Sequence, residues 1–266
     1  EVSRTRTTAA LIHHHLHSGA ASIRFGRKRV TLMNPTRTTS NEPTDNYKRI
    51  GRRFYMAIPL YLAVPAAFWL AFRYAGLTAD WAAFGIGAAG WWAALLLRGP
   101  IALLVRKQPK ERAGLLVAAA SGPLEEGVRL LTLWITGFSL DSVLSLGQGW
   151  AAIEVVFAVV NGIVLASIIK RTDEKAMQAK AFLEATGQMN SSPLWGVLER
   201  LFASMFHIGS TLLIAHMPWL LLLMIPAHTA FNLVSVRLAK RSLPLTELFV
   251  AAVGIVTLTA GLLVWQ

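Results

Sequence analysis

Seven side chains able to bind a metal or move a proton stand inside stretches that are otherwise apolar. Glu125, Glu126 and Arg129 lie in Gly122-Pro123-Leu124-Glu125-Glu126-Gly127-Val128-Arg129, and Glu154 closes Trp150-Ala151-Ala152-Ile153-Glu154. His207 follows Glu199-Arg200 in a later run, and His228-Thr229-Ala230-Phe231-Asn232 supplies a second histidine with an amide four residues on. Carboxylates and imidazoles are the ligands of zinc and the common general bases. Ionisable groups in an apolar run cost several kcal/mol unless paired or hydrated, so each is a functional candidate. Beyond the His13-His14-His15-Leu16-His17 run, the protein's histidines are His207, His216 and His228.

The elements that must carry them are membrane helices. Of 266 residues, 54% are hydrophobic and 15% charged, well below the quarter or so that a soluble domain carries. The apolar residues come in runs of about 20, the length that crosses ~30 Å of hydrocarbon at ~1.5 Å per residue. The pattern predicts an all-α bundle of about seven helices near 54–74, 79–105, 113–136, 145–169, 195–216, 218–237 and 246–265. Arg98, Gly99 and Pro100 interrupt the second. No cysteine is present, which excludes disulfides and thiolate metal sites. The net charge of +12 flanks the apolar runs instead of forming one stripe, which fits lipid headgroups and excludes a nucleic-acid surface.

Residues 1–53 are rich in Arg, Thr, Ser, Asn and Pro and are expected to be a disordered basic leader ahead of a transmembrane domain over 54–266. The chain opens on Glu1 and Met33 precedes a basic stretch, so residues 1–32 need not belong to the native product. Lys48, Arg49, Arg52 and Arg53 precede the first span, which predicts a cytoplasmic N-terminus. Alternation puts the clusters around Arg106–Arg112, Lys170–Lys180 and Arg237–Arg241 on that same side, with little charge opposite.

Depth brings the candidates to one level. Glu125 and His207 lie about 12 residues from the cytoplasmic side of their spans, ~18 Å in. His228 and Glu154 enter from the other face and sit about 10 and 9 residues deep, ~15 and ~14 Å. Four helices offering one ligand each at one level is how a bundle builds a metal site. Taken singly, the same residues have plainer readings. Glu125 and Arg129 are spaced for an intrahelical ion pair, Glu199-Arg200 for a solvated pair, and His216 for the membrane interface.

Together, Glu-Glu-x-x-Arg, aromatic-x-x-x-Glu, a lone His and His-x-x-x-Asn over residues 114–236 resemble the superfamily of CAAX prenyl proteases, bacteriocin-processing enzymes and the PrsW and YhfC membrane peptidases. Gly147-Gln148-Gly149-Trp150 up to Glu154, with Glu199-Arg200 and His207, are most similar to YhfC-type members. Trp150 and Asn232 stand where such chains more often have His and Asp. The resemblance implies an intramembrane zinc metalloprotease in which Glu125, Glu126 and Arg129 are catalytic and Glu154, His207, His228 and Asn232 hold Zn2+. It implies a peptide or membrane-protein substrate, and a multi-pass protein of a bacterial or archaeal plasma membrane. Two other classes fit the residues: a non-catalytic scaffold of the same fold, and a proton- or ion-coupled carrier. The carrier reading lacks the inverted repeat that many carriers show.

Overall fold

The computed structural model describes residues 42–171, 173–185 and 191–266, and these are helices and short connections, with no strand among them. The helices are α1 (Glu42–Tyr74), α2 (Trp81–Val105), α3 (Lys110–Ala119), α4 (Ser121–Thr136), α5 (Leu140–Ile168), α6 (Glu174–Ala185), α7 (Leu194–His216), α8 (Leu221–Ala239, preceded by a 3-10 turn at Pro218–Leu220) and α9 (Leu243–Leu263). Six of the described helical stretches are long and apolar enough to cross a membrane: Arg49–Tyr74, Trp81–Val105, Leu140–Ile168, Leu194–His216, Pro218–Ala239 and Leu243–Leu263. Large apolar side chains such as Leu104, Trp134, Leu222, Leu248 and Val256 are exposed on the outside of the bundle, as lipid-facing positions require. Most of the expected leader lies outside the described residues, and α1 begins at Glu42, twelve residues ahead of the expected span start at 54.

The remaining expected span, 113–136, is present as two shorter helices meeting at Ala120. The reason is local chemistry. Pro123 has no N–H to give the carbonyl of Ala119, and that carbonyl instead accepts from Thr229 Oγ1 at 3.1 Å. A backbone group freed inside a membrane bundle is satisfied by a neighbouring helix, and here the neighbour is α8. The two helices together account for the seventh element of the predicted bundle. By contrast α2 runs unbroken past Arg98, Gly99 and Pro100 to Val105.

Glycines set the helix spacing. A Cβ at Gly149 would lie 1.9 Å from the Phe84 carbonyl oxygen, and one at Gly87 would lie 2.1 Å from that of Leu146, so α2 and α5 touch backbone to backbone. Gly209 against Thr257 and Gly254 against Phe202 bring α7 and α9 equally close. Without a hydrophobic drive between helices in lipid, such small-residue contacts are what hold the bundle. α7 is the central helix: 56% of its apolar stretch is buried, against 17–33% for the other five spans. The α2 and α5 starts are tied by Asp80, whose Oδ1 accepts from Ala83 N at 3.0 Å while its Oδ2 accepts from Ser142 Oγ at 2.7 Å. The Ala83 N–H and then the Ser142 hydroxyl hold this carboxyl below its ordinary pKa.

Candidate active site

The break at Ala120 positions the site. Besides the Thr229 bond, Asn232 Nδ2 donates to Ser121 Oγ at 2.8 Å, and Gly122 packs so tightly that its Cβ would sit 2.4 Å from the Ile225 carbonyl oxygen. Three consecutive turns of α8 are therefore locked to the start of α4. That places His228 beside Glu125 and Glu126, one turn into α4.

Glu126, Arg129 and His228 are fully or almost fully buried. Arg129 Nε donates to Glu126 Oε2 at 2.9 Å, and His228 Nδ1 stands 2.5 Å from Glu126 Oε1. An ionised carboxylate only accepts, so Nδ1 carries a proton, and Nε2 on the far side of the ring is the nitrogen left for a metal. It faces Glu125, whose Oε2 is 3.7 Å distant and is buried without any hydrogen-bond partner. The other Glu125 oxygen is engaged by Arg98 of α2.

His207 of α7 is clamped from both sides. Arg129 reaches its Nδ1 at 3.0 Å and its carbonyl oxygen at 3.2 Å, while Nε2 meets Glu154 Oε2 of α5 at 2.6 Å. Arginine can only donate, so Nδ1 accepts and Nε2 donates to Glu154. Glu154 also receives Arg200 NH1 at 2.5 Å, and Arg200 extends to Glu199 at the edge of the bundle. The rings of His207 and His228 lie 5.4 Å apart and both pack edgewise on Phe206. Glu125, His207 and His228 each offer a donor atom, all within 4.8 Å of one another, the one such group of metal-ligand type among the described residues. Glu154 joins it through His207.

Of the residues predicted from sequence, six converge here. The seventh, Asn232, has its amide nitrogen on Ser121, so only its oxygen is left to offer. The expected Glu125–Arg129 pair is not the one that forms. Arg129 turns to Glu126 three residues back, and Glu125 turns to Arg98. Glu199-Arg200 is also more than a solvated pair, since the Arg200 side chain is 16% exposed and holds Glu154. His216 is exposed and rests near Trp265. Two further residues at the site, Arg98 and Trp150, were not expected to act there. Arg98 is a cation in an apolar run, the signal used for the others. Trp150, fully buried, lies under the Arg129 guanidinium at 4.2 Å, where its π face stabilises the cation.

Three carboxylates matched by three guanidiniums, nearly all withdrawn from water, are expensive to assemble and are seldom a net source of stability. A sequence-family comparison gives the arrangement a context: the model of the YhfC intramembrane metalloprotease family matches residues 60–255, well over half of the chain. The chain belongs to this family. No curated protein and no solved structure matches it. Membership implies a metal and a peptide substrate, and the donor set fits a metal. His228 offers Nε2 without breaking a hydrogen bond, Glu125 offers an unpartnered oxygen, and Glu126 orients His228 from behind as metal-bound histidines require. His207 takes a cation at Nε2 only by giving up its contact with Glu154 and moving its proton to Nδ1, where it displaces the Arg129 donor.

Proposed function

We propose that this protein is a zinc-dependent intramembrane peptidase of a bacterial or archaeal plasma membrane, hydrolysing peptide bonds in a membrane-associated substrate. Its metal is held by Glu154, His207 and His228, with the Asn232 oxygen as a further ligand. The observation that carries the reading is the buried Glu125 Oε2, without a hydrogen-bond partner, facing Nε2 of His228 at 3.7 Å. A carboxylate left without a donor at that depth is costly unless its acceptor is used.

Zinc, when bound, supplies a Lewis acid that polarises a scissile carbonyl and makes water a better proton donor. Glu125 takes a proton from the attacking water on its free oxygen and passes it to the departing amine, so one water and one amide become a carboxyl and an amine. Arg98 fixes the other Glu125 oxygen and keeps the free one directed at His228. Glu126 holds the His228 proton at Nδ1, and Arg129 holds Glu126 and His207 together, itself braced by Thr211 Oγ1 at 2.8 Å and by Trp150.

The clustering of Glu125 with both histidines within 4.8 Å favours a second reading, in which Glu125 is itself a ligand. Glu125→Gln tests both. As base, its loss abolishes hydrolysis of a peptide substrate in detergent while zinc content stays near wild type. Loss of zinc along with activity moves Glu125 to the ligand set, and full activity removes it from the mechanism.

A further inference from the structure

A cleft of about 240 Å³ lies between residues 50–61 of α1 and the starts of α7 and α9. Its walls include Arg53, Tyr61, Glu199 and Glu247. These elements all begin on the side where the basic clusters accumulate. Glu199 is 43% exposed in it and reaches Arg200, which holds Glu154, which in turn meets His207. The cleft is thus joined to the centre through three side-chain contacts, with Glu199 about 5 and His207 about 13 residues into α7, ~12 Å apart along the axis.

Glu247 is the unexplained group. It is 6% exposed, lines the cleft, and its Oε2 is buried with no hydrogen-bond partner. It lies close enough to Glu199, Arg200 and Tyr61 for their charges to interact, yet it forms an ion pair with none of them among the described residues. Arg200 already serves two carboxylates, Glu154 and Glu199. Tyr61 spends its hydroxyl on the Pro193 carbonyl at 3.4 Å. Arg53, also in the cleft wall, is exposed and makes no ion pair with Glu199 or Glu247. The cleft therefore holds a buried carboxyl that none of its own donors satisfies, and its deepest acceptor is bare.

We infer that this cleft is a subsite for a cationic substrate side chain, a lysine or arginine near the bond to be cut, with Glu247 and Glu199 as its receptors. A charge-assisted hydrogen bond to a desolvated carboxylate is stronger than a neutral one, and Glu247 has an oxygen free to make it. The subsite rests on the peptidase reading of the neighbouring centre for its role, but its binding is measurable without turnover.

The test uses the detergent-purified full chain and three probes: N-acetyl-lysine methylamide, its neutral analogue N-acetyl-norleucine methylamide, and norleucine methylamide with a free α-ammonium. Binding is read by ligand-dependent thermal stabilisation. The lysine probe is expected to bind about tenfold or more tighter than the neutral one, the scale of a charge-assisted bond. Glu247→Gln, which keeps the shape, and Glu199→Gln should each remove most of that preference. Equal binding of the lysine and neutral probes overturns the inference, as does a preference unchanged in both variants. Stronger binding of the free α-ammonium probe also overturns it, by making the ligand a chain terminus. A lysine preference that depends on Glu247, in a protein that cleaves no peptide, upholds the subsite and defeats the peptidase reading.

Discussion

Replacing Gly122 by alanine strikes the contact that brings α4 and α8 together. The added Cβ would lie 2.4 Å from the Ile225 carbonyl oxygen and 2.3 Å from Thr229 Oγ1, where ordinary contact begins near 3.4 Å. Thr229 Oγ1 can rotate, but the Ile225 oxygen is backbone inside a helix. The helices must separate by about 1 Å, the difference between 3.4 and 2.4 Å, at a cost of roughly 1–3 kcal/mol for overpacking. The same shift carries His228 away from Glu125 and Glu126, and an error of ~1 Å in a reacting geometry can lower a rate ~100-fold. Gly127→Ala is the matched control on the same helix, because nothing lies within 4 Å of its Cβ. It should be neutral or stabilising by up to ~1 kcal/mol from better helix propensity. Thermal unfolding and chelator-competition zinc affinity measured on both variants decide the matter. If Gly122→Ala matches Gly127→Ala in stability and in zinc affinity, the close α4–α8 contact does not build the site.

Glu126→Gln removes the carboxylate that Arg129 and His228 share, leaving a buried guanidinium short of its partner. A loss of about 3–5 kcal/mol in unfolding free energy and a 10–100-fold weaker zinc affinity are expected, and unchanged zinc affinity would take Glu126 out of the support for His228. Asp80→Ala should lower stability by about 1 kcal/mol through loss of the α2 cap, read as a lower Tm. Because the folded Asp80 pKa lies below its unfolded value, its contribution is complete above the unfolded pKa and fades as pH falls through the folded one. The Tm gap between wild type and Asp80→Ala should accordingly close on acidification, and a gap that widens would contradict the assigned partners. Reporter fusions after Arg112 and after Lys180 should both report the cytoplasm, as the four basic clusters predict, and either reporting the outer face would overturn the orientation.

Apolar run length made the bundle legible in the sequence, because lipid forces each span to be long and uniformly apolar. The candidate site was legible for a related reason: Glu125, Glu126, Glu154, His207 and His228 are costly in such runs, and the structure brings them together. Partner choice was not legible. Whether Arg129 meets Glu125 or Glu126 depends on a difference of one residue around the helix, and the sequence does not show that Arg98 approaches from α2. The break at Ala120 follows from Pro123, but its stability depends on Thr229, more than a hundred residues away. Glu247 sits in the second turn of α9, where an acid reads as an ordinary interfacial charge. Only the packing of α1 and α7 around it shows that it is buried.

The central claim, a metal centre built on the two buried histidines, is tested most directly by elemental analysis of the detergent-purified full chain. Wild type should carry about one zinc per chain, and the His207→Ala, His228→Ala double variant should carry almost none while remaining folded by its helical circular dichroism. Of the single variants, His228→Ala should lose more affinity, since His228 offers its nitrogen freely whereas His207 must first release Glu154. Stoichiometric zinc retained in the folded double variant would contradict the account.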